Sequence, residues 1–210
     1  CHRHGVLLLV DNAHGAYLKF LSPSAHPMDL GADLCCDSAH KTLPVLTGGA
    51  YLHISDSAPS FFKEKGEYAL SLFASTSPSY LIIASLDRVN SYLSSDYRKE
   101  LSESAERVAG LKAALGERGY RFEGSEPMKL TLKARDYGYR GEEISSYLAE
   151  NNIVCEFSDA DYVVMMFSTD TSEEDYEKLF GALCALEKKE PIKIVPPEFN
   201  ASERVISVNE

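Results

Sequence analysis

The sequence predicts an α/β region followed by a smaller α+β region, and three observations carry that expectation. A continuous apolar run at residues 6–10 has the character of a fully buried parallel strand, and it stops abruptly at Asp11. Apolar residues at helical spacing recur at 60–73 and again from 97 to 115. Beyond that the order becomes β, α, β, β, α, through 128–133, 141–150, 153–157, 162–168 and 172–188. The expected division is 1–94 for the α/β part, 95–188 for the α+β part and 189–210 for an extended tail.

Each element has a local reason. After the first strand, 32–36 reads as a second short strand ending in the run Ser38, Ala39, His40, Lys41, Thr42, and 48–54 as a third. Phe61, Phe62, Tyr68, Leu72 and Phe73 give 60–73 its apolar helical positions. Ser77 before Pro78 suits a helix N-cap followed by proline at the first helical position, with Tyr80, Leu81, Ile82, Ile83 and Leu86 continuing the helix. The stretch from Tyr97 carries dense charge pairs and meets its stop at Gly116 or Gly119. A capping-box pattern at 171–174 opens the last helix.

With 210 residues, 44% of them apolar and 25% charged, the chain has the composition of a packed globular protein. No apolar run approaches the roughly 20 residues that cross a bilayer. A formal charge of -11 repels phosphate backbones and anionic membrane surfaces, so neither nucleic acid nor membrane is an expected partner. Cys1, Cys35, Cys36, Cys155 and Cys184 are odd in number and lack CxxC spacing, which fits neither a disulfide framework nor a zinc site; buried reduced thiols in a cytoplasmic protein are expected. No secretory signal is visible, and both ends read as cut, as in a fragment of a longer enzyme.

Chemistry is expected where strands end, because ligands of open α/β sheets bind at the carboxyl ends of strands. All six histidines fall within the first 53 residues, and none forms an HxxxH pair, so no metal site is expected; His2, His4, His26 and His53 read as exposed or core histidines. Lys41 follows a short apolar strand and precedes an apolar, glycine-containing stretch expected to exclude water. A desolvated lysine is more readily the neutral amine that attacks an aldehyde. Asp11, also at a strand end, supplies the carboxylate that would keep a pyridine nitrogen protonated.

The pattern Asp11, Asn12, Ala13, His14, Gly15, Ala16, then His26, Pro27, then Gly31, Ala32, Asp33, then Ser38, Ala39, His40, Lys41, Thr42, Leu43, then Leu52, His53, and finally Thr76, Ser77, Pro78, Ser79, Tyr80 resembles the major domain of the ornithine/lysine/arginine decarboxylases. These are fold-type-I enzymes dependent on pyridoxal 5'-phosphate. The resemblance is close over about the first 95 residues, and the α+β part looks like the small domain of the same fold. It implies that 1–94 is the C-terminal part of a cofactor-binding large domain. Lys41 then resembles the Schiff-base lysine and Asp11 the partner of the pyridinium nitrogen. Ala13 would pack on one ring face, and His14 would lie near the ring or the substrate carboxylate. Ser38 and His40 resemble residues around the cofactor phosphate, and Thr76 with Ser77 a segment that reaches a phosphate across a dimer interface. Asn12 departs from the glutamate or serine common in the family.

The implied reaction is decarboxylation of lysine, arginine or ornithine to an amine, with His40 or Lys41 as the proton source and a homodimer or higher homo-oligomer as the full-length assembly. Three other readings stand beside it. Aminotransferases share the same aspartate and lysine. An apolar strand ending in Asp, Asn, Ala, His also resembles the Walker B element of a DExH helicase, although no phosphate loop is present and the charge is wrong for RNA. A folded fragment inactive by itself is the last.

Overall fold

The computed structural model describes residues 1–75 and 77–193. The chain runs β1 (Leu9–Asp11), β2 (Leu34–Asp37), α1 (Ala39–Thr42), β3 (Tyr51–Ile54), α2 (Ser60–Phe73), α3 (Tyr80–Leu93), α4 (Tyr97–Glu117), β4 (Phe122–Glu123), β5 (Lys129–Lys133), α5 (Gly141–Glu150), β6 (Phe157–Ser158), β7 (Tyr162–Met166) and α6 (Glu173–Ala185). The mixed α/β character expected from the sequence is present. The strands form two sheets, β1-β2-β3 and β4-β5-β7-β6.

In the first sheet β1 pairs parallel to β2, with Asp11 opposite Cys36, and β3 returns antiparallel, with Asp37 opposite Tyr51 and Cys35 opposite His53. The parallel pairing agrees with the apolar run at 6–10, but the burial does not. Only Leu9–Asp11 forms strand, and Val6, Leu7 and Leu9 are exposed. β1 is an edge strand here, and among the described residues no element packs over these side chains closely enough to bury them.

The second sheet shows the period of two that half-buried strands require. Leu130 and Leu132 of β5 and Val163 and Met165 of β7 point inward and pack with Val108, Leu111 and Leu115 of α4, Ile144 and Leu148 of α5, and Leu179 and Leu183 of α6. Tyrosine hydroxyls donate to carbonyls in the last turn of α6 and just after it. Tyr147 donates to Ala182, Tyr120 to Leu183, Tyr137 to Leu186 and Tyr139 to Glu187.

One helix serves both cores. The buried positions of α4, Tyr97, Leu101, Ser104, Val108, Leu111 and Leu115, follow the three- and four-residue spacing of one helix face. Its first two turns pack with Ala16, Tyr17, Ala39 and Leu43, and its later turns join the second core. The stop is Gly119, at φ +92, where only glycine avoids a steric penalty; Gly116 lies inside the helix.

Several boundaries differ from expectation. Helix α3 starts at Tyr80 with Ser79 at the N-cap, so Ser77 is not its cap and Pro78 is not its first residue; the extended backbone of Ser79 delays the helix by two positions. The last helix opens one residue later than 171, at a capping box between Ser172 and Asp175, because Ser172 Oγ accepts from the Asp175 N–H. Strand β4 has no counterpart in the expected order. Of the cysteines only Cys35 is fully buried; Cys1 is exposed at the start of the chain, and Cys36 is exposed because alternate residues of a strand face opposite sides. No helix among the described residues is long and apolar enough to cross a membrane.

Candidate functional site

The carboxyl ends of the two parallel strands lie side by side. The backbone N–H of Asn12 donates to the Cys36 carbonyl at 2.9 Å, which continues the β1–β2 ladder one residue past Asp11. Beyond this point each strand turns into its own polar segment, 12–15 after β1 and 38–42 after β2.

Those segments border a cavity of about 460 Å³. Asp11, Asn12, Ala13, His14 and Gly15 line it from the first strand end and Lys41 from α1. Glu126 lines it from the approach to β5 and Lys129 from the first position of that strand. Four of the residues singled out in the sequence, Asp11, Ala13, His14 and Lys41, are therefore brought together. Ser38 and His40 do not border this cavity. Ser38 is the N-cap position of α1, without a side-chain cap bond, and His40 places Nδ1 at 2.9 Å from the Gly49 carbonyl. Ser77 is exposed before α3, and its N–H donates to Ser75 Oγ at 3.1 Å. Thr76 lies outside the described residues.

The expectation of a desolvated Lys41 is not met, because the residue is exposed. The apolar stretch after it turns the other way: Leu43 is buried in the first core and Val45 packs against that core. The contacts of Lys41 are polar. Its Nζ lies 3.1 Å from His14 Nε2, and His14 Nε2 also lies 3.4 Å from Glu156 Oε1. These two contacts ask opposite things of one nitrogen, for the lysine needs an acceptor and the glutamate a donor. Burial, with Lys129 and Lys41 nearby, pulls the His14 imidazole below its ordinary range and outweighs Glu156 and Glu126. Neutral His14 accepting from Lys41 is the consistent arrangement.

Asp11 is exposed, and its Oδ1 accepts from the Ala13 N–H at 3.2 Å. Its other oxygen has no hydrogen-bond partner among the described residues. Lys129 pairs with Glu126 at 2.7 Å. One side of the cavity thus offers a carboxylate, a small apolar residue, a neutral imidazole and a primary amine. Sequence reasoning missed Glu126, Lys129 and Glu156, because their proximity is long-range: tertiary packing seats Met128 in the first core and brings residue 156 to His14.

The chain has known relatives. The model of the Orn/Lys/Arg decarboxylase major domain matches residues 1–133, past the first 95 residues on which the resemblance was drawn. An uncharacterized protein, YaaO, of Bacillus subtilis (strain 168) is 34% identical over 175 residues, which cover 79% of this chain and 36% of that protein. An arginine decarboxylase of the same organism is 31% identical over 198 residues, covering 87% of this chain and 40% of its own length. Lysine decarboxylase A from Pseudomonas aeruginosa superposes with a TM-score of 0.69 at 19% identity, over 85% of this chain and 32% of that one, and so shares its fold. The chain spans well under half the length of these relatives. A family match across both strand ends and the Ser38 to Thr42 run makes this chain a member of the Orn/Lys/Arg decarboxylase family.

Proposed function

We propose that this chain carries the lysine-bearing side of a pyridoxal 5'-phosphate site in a decarboxylase of basic amino acids. The observation that carries the reading is the cavity at the paired strand ends, where Asp11, Ala13, His14 and Lys41 converge. The relatives named as arginine and lysine decarboxylases support the reaction class. The residues present fit the cofactor by their donor set, since a carboxylate, a small side chain and an amine border one space. Lys41 would hold the aldehyde carbon, Asp11 would face the ring nitrogen and Ala13 a ring face. Ser38, His40, Thr76 and Ser77 are assigned to its phosphate on the sequence pattern alone.

When bound, the cofactor supplies an electron sink for the pair released as carbon dioxide departs. The chain's own residues prepare for this in definite ways. Neutral His14 Nε2 accepts a hydrogen bond from Lys41 Nζ at 3.1 Å and so holds the side chain at the cavity wall. The Ala13 N–H on Oδ1 restrains the orientation of the Asp11 side chain. As the proton source Lys41 is favoured over His40, because Lys41 borders the cavity whereas His40 is tied to Gly49.

The same reading assigns 1–94 to the C-terminal part of a fold-type-I large domain, 95–188 to its small domain and 189–210 to the start of a following region. It includes a cytoplasmic homodimer or higher homo-oligomer. The exposed apolar residues of α2 and α3, among them Phe61, Tyr68, Leu72, Phe73, Tyr80 and Leu81, support such an assembly.

The decisive experiment is to add pyridoxal 5'-phosphate to the purified protein, reduce with borohydride and map the modified peptide. Modification at Lys41 is expected; modification at another lysine instead would overturn the assignment. Carbon dioxide and amine from lysine, arginine or ornithine would establish decarboxylation, whereas a 2-oxo acid would move the protein to the aminotransferases.

A further inference from the structure

Behind the cavity lies a polar group that the reading above does not use. Asp37, the last residue of β2, is 3% exposed. Its Oδ2 accepts from His26 Nε2 at 2.9 Å and from His53 Nε2 at 2.8 Å, and its Oδ1 accepts from Asn12 Nδ2 at 2.7 Å. The Met28 N–H donates to His26 Nδ1 at 3.3 Å, which leaves the hydrogen of neutral His26 on Nε2, facing the carboxylate. A buried carboxylate is tolerated when its oxygens are filled in this way. Burial alone would raise the Asp37 carboxyl, but hydrogen bonds from His26, His53 and Asn12 outweigh it and hold the group below the ordinary carboxylate range.

Donor atoms of His26, Cys35 and Asp37 lie within 4.8 Å of one another, as they would around a metal ion. The bonding argues for a hydrogen-bonded hub instead. The imidazole hydrogens of His26 and His53 are committed to Oδ2, and burial beside Asp37 pushes the Cys35 thiol up to about 12, so it stays protonated.

The hub touches both strand ends. Asp37 directly precedes Ser38 and the short helix that bears Lys41, while Asn12 directly follows Asp11 and opens the 12–15 loop. The Asn12 amide is held from the other side as well. A Cβ at Gly15 would come within 2.0 Å of Asn12 Oδ1, so the loop closes over this side chain only because residue 15 has none.

We propose that Asp37 is a positioning residue: through Asn12 it fixes the loop bearing Asp11 and Ala13 against the turn bearing Lys41. The inference rests on the reading of Lys41 and Asp11 given above. A merely structural hub would stabilise the fold without setting this geometry, and exchanging donor and acceptor separates the two cases. Asn12→Asp sets two carboxylates against each other, and Asp37→Asn sets two amides. In the double variant the new amide at position 37 can donate to the new carboxylate at position 12, while its oxygen still accepts from both imidazoles.

The test follows the rate of borohydride-trapped labelling of Lys41 by pyridoxal 5'-phosphate, and its pH midpoint, together with thermal unfolding of the cofactor-free proteins. Asn12→Asp and Asp37→Asn are each expected to slow labelling by about ten-fold or more and to shift its pH midpoint, with the double variant returning to within about three-fold of the unaltered protein. If Asp37→Asn does not fold, Asn12→Asp and Asn12→Ala carry the test, because both leave the two imidazole bonds to Asp37 in place. Losses that multiply without rescue, or labelling indifferent to changes at position 12, would overturn the inference alone. Absence of Lys41 labelling in the unaltered protein would overturn the cofactor reading and this inference with it.

Discussion

The two sheets of this chain divide stability and chemistry between them. The second sheet buries alternate residues of β5 and β7 completely or nearly so, with helices α4, α5 and α6 packed around that core. The first has three strands of three or four residues, leaves Leu9 55% exposed, and carries at its strand ends every residue to which a chemical role is assigned except Thr76 and Ser77. Each half has an apolar core, and the first adds a buried polar hub beside its strand ends. The half with the candidate chemistry is the one that adds directional bonds to its apolar core, and these fix side-chain geometry more tightly than apolar contact does.

The largest effect should separate the sheets by truncation. Leu130→Ala removes a fully buried side chain from β5 and is expected to cost about 2–5 kcal/mol. Leu9→Ala in β1 should cost less than about 1 kcal/mol, because that side chain is already in water. Urea unfolding of the purified variants measures both. Comparable losses at the two positions would break the comparison, since Leu9 would then be buried by something that gives the first sheet a second covered face.

A smaller, pH-dependent effect should mark the polar half. The Asp37 carboxyl lies below its ordinary value of 3.8. Its ionised form therefore contributes stability that is present above that pH and lost as pH falls through the lower value it has in the folded protein. Asp37→Asn should cost about 1–3 kcal/mol near neutrality, from imperfect partnering of the hub. The gap to the unaltered protein should narrow below about pH 4, as protonation removes the same charge from Asp37 itself. A gap that widens with acid would show that the hub does not favour the carboxylate.

How much of this was legible in the sequence depends on the kind of interaction. The helices at 60–73 and 141–150 have the expected limits, because their signals are local: apolar periodicity in the first, an acidic first turn in the second, where Glu143 accepts from the Arg140 N–H at 2.7 Å. The run at 6–10 announced a strand and its parallel partner but not its exposure, since an apolar run is silent about what covers it. Asp11, Ala13, His14 and Lys41 could be singled out because strand ends gather ligands. The hub could not: His26 and His53 read as ordinary histidines, and only the antiparallel register that sets Cys35 opposite His53 brings the second imidazole onto Asp37. The signal available beforehand was an acidic residue at the end of an apolar strand, directly before the lysine motif.

The smallest effect is the most direct measure of how far the two regions act on each other, and it centres on His14. This imidazole belongs to the first half, yet Lys129, Glu126 and Glu156 reach it from the second, while Lys41 reaches it from its own side. Burial and the two lysines hold its titration midpoint below the ordinary 6.5. Proton NMR of the imidazole in the cofactor-free protein should place the midpoint there, so that His14 is neutral at pH 7 and accepts from Lys41. Lys41→Met removes one lowering influence and should raise the midpoint, while leaving it short of 6.5 because burial persists. Glu156→Gln removes a raising influence and should lower it further. A midpoint above 6.5 in the unaltered protein would instead make His14 and Glu156 an ion pair and deny Lys41 its hydrogen-bond acceptor. An unchanged midpoint in Glu156→Gln, with a clear rise in Lys41→Met, would confine the coupling to the first half, leaving that glutamate of the second sheet a neighbour of the site without influence on its chemistry.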